Sequence, residues 1–295
     1  MKILISGASG FIGHLLAEHL KNKHDVFFLV RQKEKIDAHH IFWDVETLTI
    51  ESNEDFDVVI NLSGENVGSG RWSSAKKKAI LNSRINATKT LARFFSLKKN
   101  PPGTVINASA IGYYGSRSDE ILTEESSKGT GFLADVCEEW EKALLPIKDR
   151  NVRTVFLRTG VVLGKEGGVI KRLMIPFKLY LGGIVGDGRQ YMSWVDVDDV
   201  VRGIDYIIDH PDIDGPVNIV SPNPVTNQVF TDTFAKALDR PALFPIPQSI
   251  VKIIFGQMGE ELLLSSQKAV PKKLLNAGFQ FRYPEIEQSI KRILQ

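Results

Sequence analysis

The chain has 295 residues, 43% of them hydrophobic, enough to fill one large domain or two modest ones. Thirty-seven basic and 35 acidic residues leave a formal charge of +2, and no basic tract is dense enough to be a nucleic-acid footprint. One cysteine, Cys137, excludes an intrachain disulfide and a thiolate metal cage and suits a reducing cytoplasm.

The opening run KILISG predicts a strand over 2–7, with no export signal ahead of it. An amphipathic segment over 11–22 follows, and then strands at 26–31, 41–44, 57–63, 104–109 and 153–159. Helical periodicity returns at 73–97 and 132–148. Alternation of this kind builds βαβ units, so the expected class is α/β, a Rossmann-type doubly wound parallel sheet. After Gly164 the texture changes. Gly-rich turns surround an apolar helix candidate at 168–181, helix plus strand reappear over 195–220, and Pro-punctuated segments lead to short helices near 248–257, 271–277 and 284–293. The expected division is a dinucleotide-binding domain of 1–165, completed by 193–220, with a smaller substrate cap from 166–192 and 221–295. No apolar run reaches the roughly 18 residues of a bilayer span, and neither a membrane nor a nucleic-acid partner is expected.

The sharpest local signal is GASGFIG, between the first strand and the first helix. Gly7 permits the tight turn, Gly10 lets backbone approach a pyrophosphate and Gly13 lets helix and strand pack closely, while Ser9, Phe11 and Ile12 complete the turn whose N–H groups face the anion. At the end of the second strand stand Val30 and Arg31, where an NAD site would usually carry an acid. Arg31, with Lys33 and Lys35 adding positive field, favours the 2′-phosphate of NADP, or is simply an exposed strand-end charge. Asp44 is a candidate partner of the adenine amino group. Leu62, Ser63 and Gly64, after Asn61, are candidates for the adenosine and ribose; all four have the plainer alternative of strand-end turns.

GASGFIG, NLSGE, INASAIGYYG, LRTGVVLG and SWVDVDDVV, in this order, resemble the extended short-chain dehydrogenases/reductases, the group of nucleotide-sugar epimerases and dehydratases. RWSSAKKKAILNSR and LLLSSQKAVPKKLLNAGFQFRYPEIEQSI resemble its atypical subgroup of epimerase-family proteins with an appended C-terminal domain of unknown function. The resemblance covers essentially the whole chain and implies NADP as cofactor. It also implies a Ser, a Tyr and a Lys four residues beyond the Tyr, usually with an Asn.

No tyrosine here has a lysine four residues on. In GTGFLADVCEEWEKAL the resemblance puts Leu133 at the Tyr place and Cys137 at the Lys place. Ser109 matches the Ser, and Arg84 stands at the Asn place. Tyr113 and Tyr114, after the fifth main strand, are candidate acids if a cation attends them, Arg84 being the candidate cation or a cofactor contact; either tyrosine can equally be a packing aromatic. Cys137 reads as a buried small hydrophobe. Thr159 to Val162 are expected beside the nicotinamide, and Arg189, Gln190, Tyr191, Trp194, Arg71 and Trp72 at a small polar, sugar-like substrate, with interdomain core as the alternative for both tryptophans. Asp196, Asp198 and Asp199 read as helix-cap acids. No histidine spacing suits a metal, so none is expected. Two functions stay open, an NADP-dependent oxidoreductase or epimerase and an NADPH-binding sensor without turnover, in a monomer or homodimer.

Overall fold

A computed structural model describes residues 1–148 and 150–295. The first half alternates strand and helix: β1 (Lys2–Ser6), α1 (Phe11–Lys21), β2 (Asp25–Val30), β3 (His40–Asp44), β4 (Thr49–Ile50), β5 (Val58–Asn61), α2 (Ser74–Leu97) and β6 (Thr104–Ala110). A 3-10 turn over Ile111–Tyr114 leads to β7 (Ile121–Leu122), α3 (Phe132–Lys142), α4 (Leu145–Lys148), β8 (Arg153–Thr159) and β9 (Val161–Leu163). The remainder is α5 (Gly168–Lys178), β10 (Tyr191–Met192), β11 (Trp194–Asp196), α6 (Val197–Asp209), β12 (Gly215–Ile219), β13 (Val225–Thr226), α7 (Asn227–Ala237), α8 (Gln248–Phe255), α9 (Gln257–Leu262), β14 (Lys268–Ala269), α10 (Lys272–Asn276) and α11 (Ile286–Leu294).

The main sheet has the order β12-β8-β6-β5-β1-β2-β3-β4, parallel except for β4. From β1 the chain lays β2 and β3 to one side and then crosses back to lay β5 on the other. The reversal opens a crevice beyond the carboxyl ends of β1 and β5, where such sheets bind ligands. Both faces are covered. Ile3 and Ile5 pack with Leu16, Leu20, Ile204 and Ile207 on one side, while Leu4 packs with Leu91, Phe95 and Ile147 on the other. This explains why the strands read as unbroken apolar runs.

The helix expected over 132–148 divides at Ala143. Pro146 has no N–H to return to Lys142, so α3 stops and the short α4 begins. α7 was not expected. Its signals are Thr226, which accepts from Val229 N at 3.3 Å, and the apolar spacing of Phe230 and Phe234. The pairs Tyr191↔Thr226 and Met192↔Val225 join the two C-terminal segments, around a second core of Phe177, Trp194, Phe234 and Ile290. β14 instead pairs with β7, and Leu274 and Phe279 enter the main-sheet core.

Candidate functional site

A cleft of about 860 Å³ opens at the crevice, walled by the turn Gly7–Gly10, by Val30, Arg31 and Lys35, by Trp43 and Val45, and by Leu62–Glu65. Gly7 has φ +78°, and a Cβ on it would stand 2.8 Å from the Leu62 carbonyl carbon. A Cβ on Gly13 would lie 2.2 Å from the Gly7 carbonyl oxygen, so this turn is closed to any side chain. α1 begins with no side-chain cap and no acid in its first turn, which leaves its first N–H groups and dipole for an anion. Of the expected residues here, Ser9 and Gly10 are exposed, Ile12 packs on the main core and the Phe11 ring lies against Gly164 and Gly167. Only the backbone of Phe11 and Ile12 belongs to the turn.

Arg31 is exposed on the cleft wall beside Lys35. Lys33 turns away to Glu51 at 3.1 Å and over the Phe42 ring. Asp44 is also engaged elsewhere: its carboxylate accepts from Glu46 N at 2.8 Å and Thr47 N at 3.4 Å, closing the β3–β4 turn. Those bonds, Glu46 N–H foremost, hold it below the ordinary carboxylate range. Trp43 and Val45, its neighbours, take the wall instead.

Beneath the cleft, buried Asn61 accepts from Ser6 Oγ at 2.6 Å and donates to Asn107 Oδ1 at 2.7 Å and Thr88 Oγ1 at 3.0 Å. Thr88 also accepts from Trp140 Nε1 at 3.0 Å, so one polar network pins the ends of β1 and β5 and the middle of β6 to α2 and α3. Arg84 stacks on Trp140, Cζ to ring centroid 4.9 Å, and donates to the carbonyls of Glu65 and Ile80, both at 3.0 Å. Desolvation lowers its pKa from the ordinary value. It braces the Gly64–Glu65 wall, and no hydrogen bond or ring contact among the described residues links it to Tyr113 or Tyr114.

The cation at the tyrosines is Arg158, one residue short of the carboxyl end of β8. It holds Glu141 through Nε and Nη2, each at 2.9 Å, and donates to the Tyr114 hydroxyl at 3.2 Å. Its Cζ lies 3.5 Å from the centre of the Tyr113 ring. Tyr114 is fully buried and donates to Asn218 Oδ1 at 2.7 Å; burial pushes its phenol up to about 12. Its proton is directed at Asn218 in the core, and burial outweighs the lowering by Arg158, which departs from the expectation of Tyr114 as an acid. Ser109 is likewise buried, its hydroxyl donating to Glu141 Oε1 at 2.7 Å. Tyr113 differs: it is half-buried, edge-on to Tyr114, and no hydrogen bond reaches its hydroxyl among the described residues.

Leu133 and Cys137 pack against Gly112, below Tyr113. The Cys137 thiol is buried and pushed up to about 11, by burial first and then by Glu141, so no thiolate nucleophile stands there. The N-terminus of α3 is held from the C-terminal region. Glu261 on α9 accepts from Phe132 N at 3.0 Å and Leu133 N at 2.8 Å, and from Gln257 Nε2 at 2.7 Å. Trp72 meets Phe132 edge-on at 5.1 Å. Trp194 is core, fully buried and donating to the Asn223 carbonyl at 3.0 Å, and Gln190 donates to the carbonyls of Val185 and Leu263. Arg189 is exposed, and Tyr191 lies under Lys268. Val162 sits in β9, paired with Val195 and packed on the main core. Asp196 caps α6, accepting from Asp198 N at 2.9 Å. Among the described residues no group of three or more His, Cys, Asp or Glu is placed to hold a metal.

Residues 3–220 match the NAD dependent epimerase/dehydratase family, and residues 246–293 match a domain of unknown function, DUF1731. The chain belongs to the NAD dependent epimerase/dehydratase family. Relatives in this family include the epimerase family protein Mb2239 of Mycobacterium bovis, 38% identical over 98% of this chain and 96% of the relative. The epimerase family protein YfhF of Bacillus subtilis is 35% identical over 100% of this chain and 98% of its own length. Among solved structures, human epimerase family protein SDR39U1 with NADPH is similar at a TM-score of 0.90, with 31% identity and 99% of both chains covered. A nucleoside-diphosphate sugar epimerase from Corynebacterium glutamicum is similar at 0.81 with 34% identity, covering 100% of this chain and 58% of that one.

Proposed function

We propose that this epimerase-family protein binds NADP(H) and acts as an oxidoreductase or epimerase-like enzyme on a small polar, sugar-like substrate, with Tyr113 as its proton-transferring group. The observation that carries the cofactor reading is one cleft that combines an uncapped helix start, a glycine turn closed to side chains, and exposed Arg31 with no acid at the end of β2. These residues suit a dinucleotide: the turn from Gly7 to Gly13 for the diphosphate, Arg31 for a 2′-phosphate, Val30, Leu62, Ser63 and Gly64 for the adenosine half. The relative solved with NADPH supports the choice. Bound NADPH supplies hydride. The protein's part is to fix Tyr113 beside the reacting carbon, with Arg158 stacked on the ring and Glu141 locking Arg158, so that Arg158 replaces the cation of the family's lysine. Val162 and Arg84 then border the nicotinamide end and the far wall. The division into a nucleotide domain of 1–165 with 193–220 and a cap of 166–192 with 221–295 belongs to this proposal, as does a cytoplasmic setting.

The test is fluorescence titration with NADPH and NADH, followed by turnover on aldehydes, quinones and nucleotide sugars. Arg31→Ala is expected to weaken NADPH roughly tenfold or more and to leave NADH nearly unchanged. Equal affinity of the wild type for the two cofactors overturns the role of Arg31. Tyr113→Phe is expected to abolish turnover while cofactor still binds. The burial of Ser109 and Tyr114 favours a second reading, an NADPH-binding sensor, and cofactor binding with no turnover on the whole panel decides for it.

A further inference from the structure

Large apolar side chains exposed among the described residues gather on two adjoining segments. Ile175 is 67% exposed on α5, with Leu179 and Leu181 beyond it; Phe244 is 56% and Ile253, on α8, 73% exposed. The segments are joined edge to edge: Phe244 N donates to the Gly182 carbonyl and Ile246 N to the Ile184 carbonyl, and α8 starts just beyond. The charge of the first segment is one-sided. Residues 168–183 carry Lys171, Arg172 and Lys178 and no acid, whereas on the second Arg240 and Lys252 are offset by Asp239 and Glu260. Arg172 donates to the Gly68 carbonyl, Arg240 lies over the Tyr180 ring and Lys252 pairs with Glu260 at 3.1 Å. Lys171 and Lys178 have no such partner among the described residues. By helical spacing they share one face of α5 with Ile175 and Leu179.

We propose that this face of the C-terminal half docks on the surface of an anionic lipid bilayer. Short amphipathic helices that mix exposed apolar side chains with unpaired lysines bury the former at the acyl boundary and set the latter among acidic headgroups. A second copy of the face is a poorer partner, because it would oppose lysine to lysine. The expectation of no membrane partner rested on the lack of a spanning segment. No helix among the described residues is long and apolar enough to cross a membrane, and surface docking requires none.

The test is co-sedimentation of the full chain with vesicles of phosphatidylcholine alone or mixed with phosphatidylglycerol. Binding is expected only to the mixed vesicles and is expected to fall with salt. Lys171→Gln combined with Lys178→Gln should weaken it about thirtyfold, about fivefold per cation, and Ile253→Ser should weaken it as well, all at an unchanged urea midpoint. Three outcomes overturn the proposal: no binding to mixed vesicles, equal binding to neutral ones, or undiminished binding of the double lysine variant. Sedimentation velocity adds a fourth, self-association that Ile253→Ser abolishes, which assigns the face to a second copy.

Discussion

At the scale of single residues, the polar groups divide into those buried in partnership, such as Tyr114, Ser109 and Arg158, and the Tyr113 hydroxyl, which no hydrogen bond reaches among the described residues. Tyr114, with its phenol raised to about 12 against an ordinary 10.0, contributes stability that is complete below pH 10 and is lost as pH rises through about 12, because the unfolded chain releases that proton first. Tyr114→Phe should remove this alkaline dependence and cost about 1–3 kcal/mol near neutrality, since Asn218 and Arg158 lose a partner. Urea unfolding across the alkaline range reads both effects; an unchanged slope in the variant excludes the assignment. Glu141→Gln breaks a buried ion pair and should cost about 3 kcal/mol or more by the same measurement. The glycine turn was legible in the sequence because its glycines stand at a fixed spacing between strand and helix, and Arg31 in place of an acid at the end of β2 is a matter of residue identity. Arg158 and Glu141 were not legible. An arginine inside an apolar strand, with an acid on the helix before it, was the signal available.

Elements show the same division between local and distant causes. β1, α1, β2 and β6 follow from periodicity, since both faces of the sheet are covered and each strand must be apolar on both sides. The end of α3 was misplaced because Pro146 outweighs an apolar period that runs on through Leu144 and Ile147. Its start depends on a residue far along the chain: Gly131 caps nothing with a side chain, and Glu261 does so from α9. Glu261→Ala should therefore cost about 1 kcal/mol in thermal or urea unfolding. Amide exchange at Phe132 and Leu133 should quicken while β1 and β5 keep their protection; unchanged exchange there excludes the cap.

For the whole molecule, cofactor binding and stability are linked. NADPH at about 100 times its Kd should add about 2.7 kcal/mol, a rise of several degrees in Tm, and Arg31→Ala should lose most of it at the same concentration. A Tm indifferent to NADPH removes the cofactor from the proposal. The sequence by itself determined the α/β class, the order of strands along the chain, the glycine turn and the missing Tyr and Lys, because these depend on local backbone sterics, on periodicity and on residue identity at fixed spacing. Only the tertiary structure decided that Arg158 attends Tyr113, that Ser109 and Tyr114 are taken up in a buried network, that Glu261 holds α3, and that apolar faces of α5 and α8 stand exposed. Each of these depends on which distant segments the sheet order brings within a few ångströms, and desolvation at such contacts sets which polar groups keep free valences for chemistry.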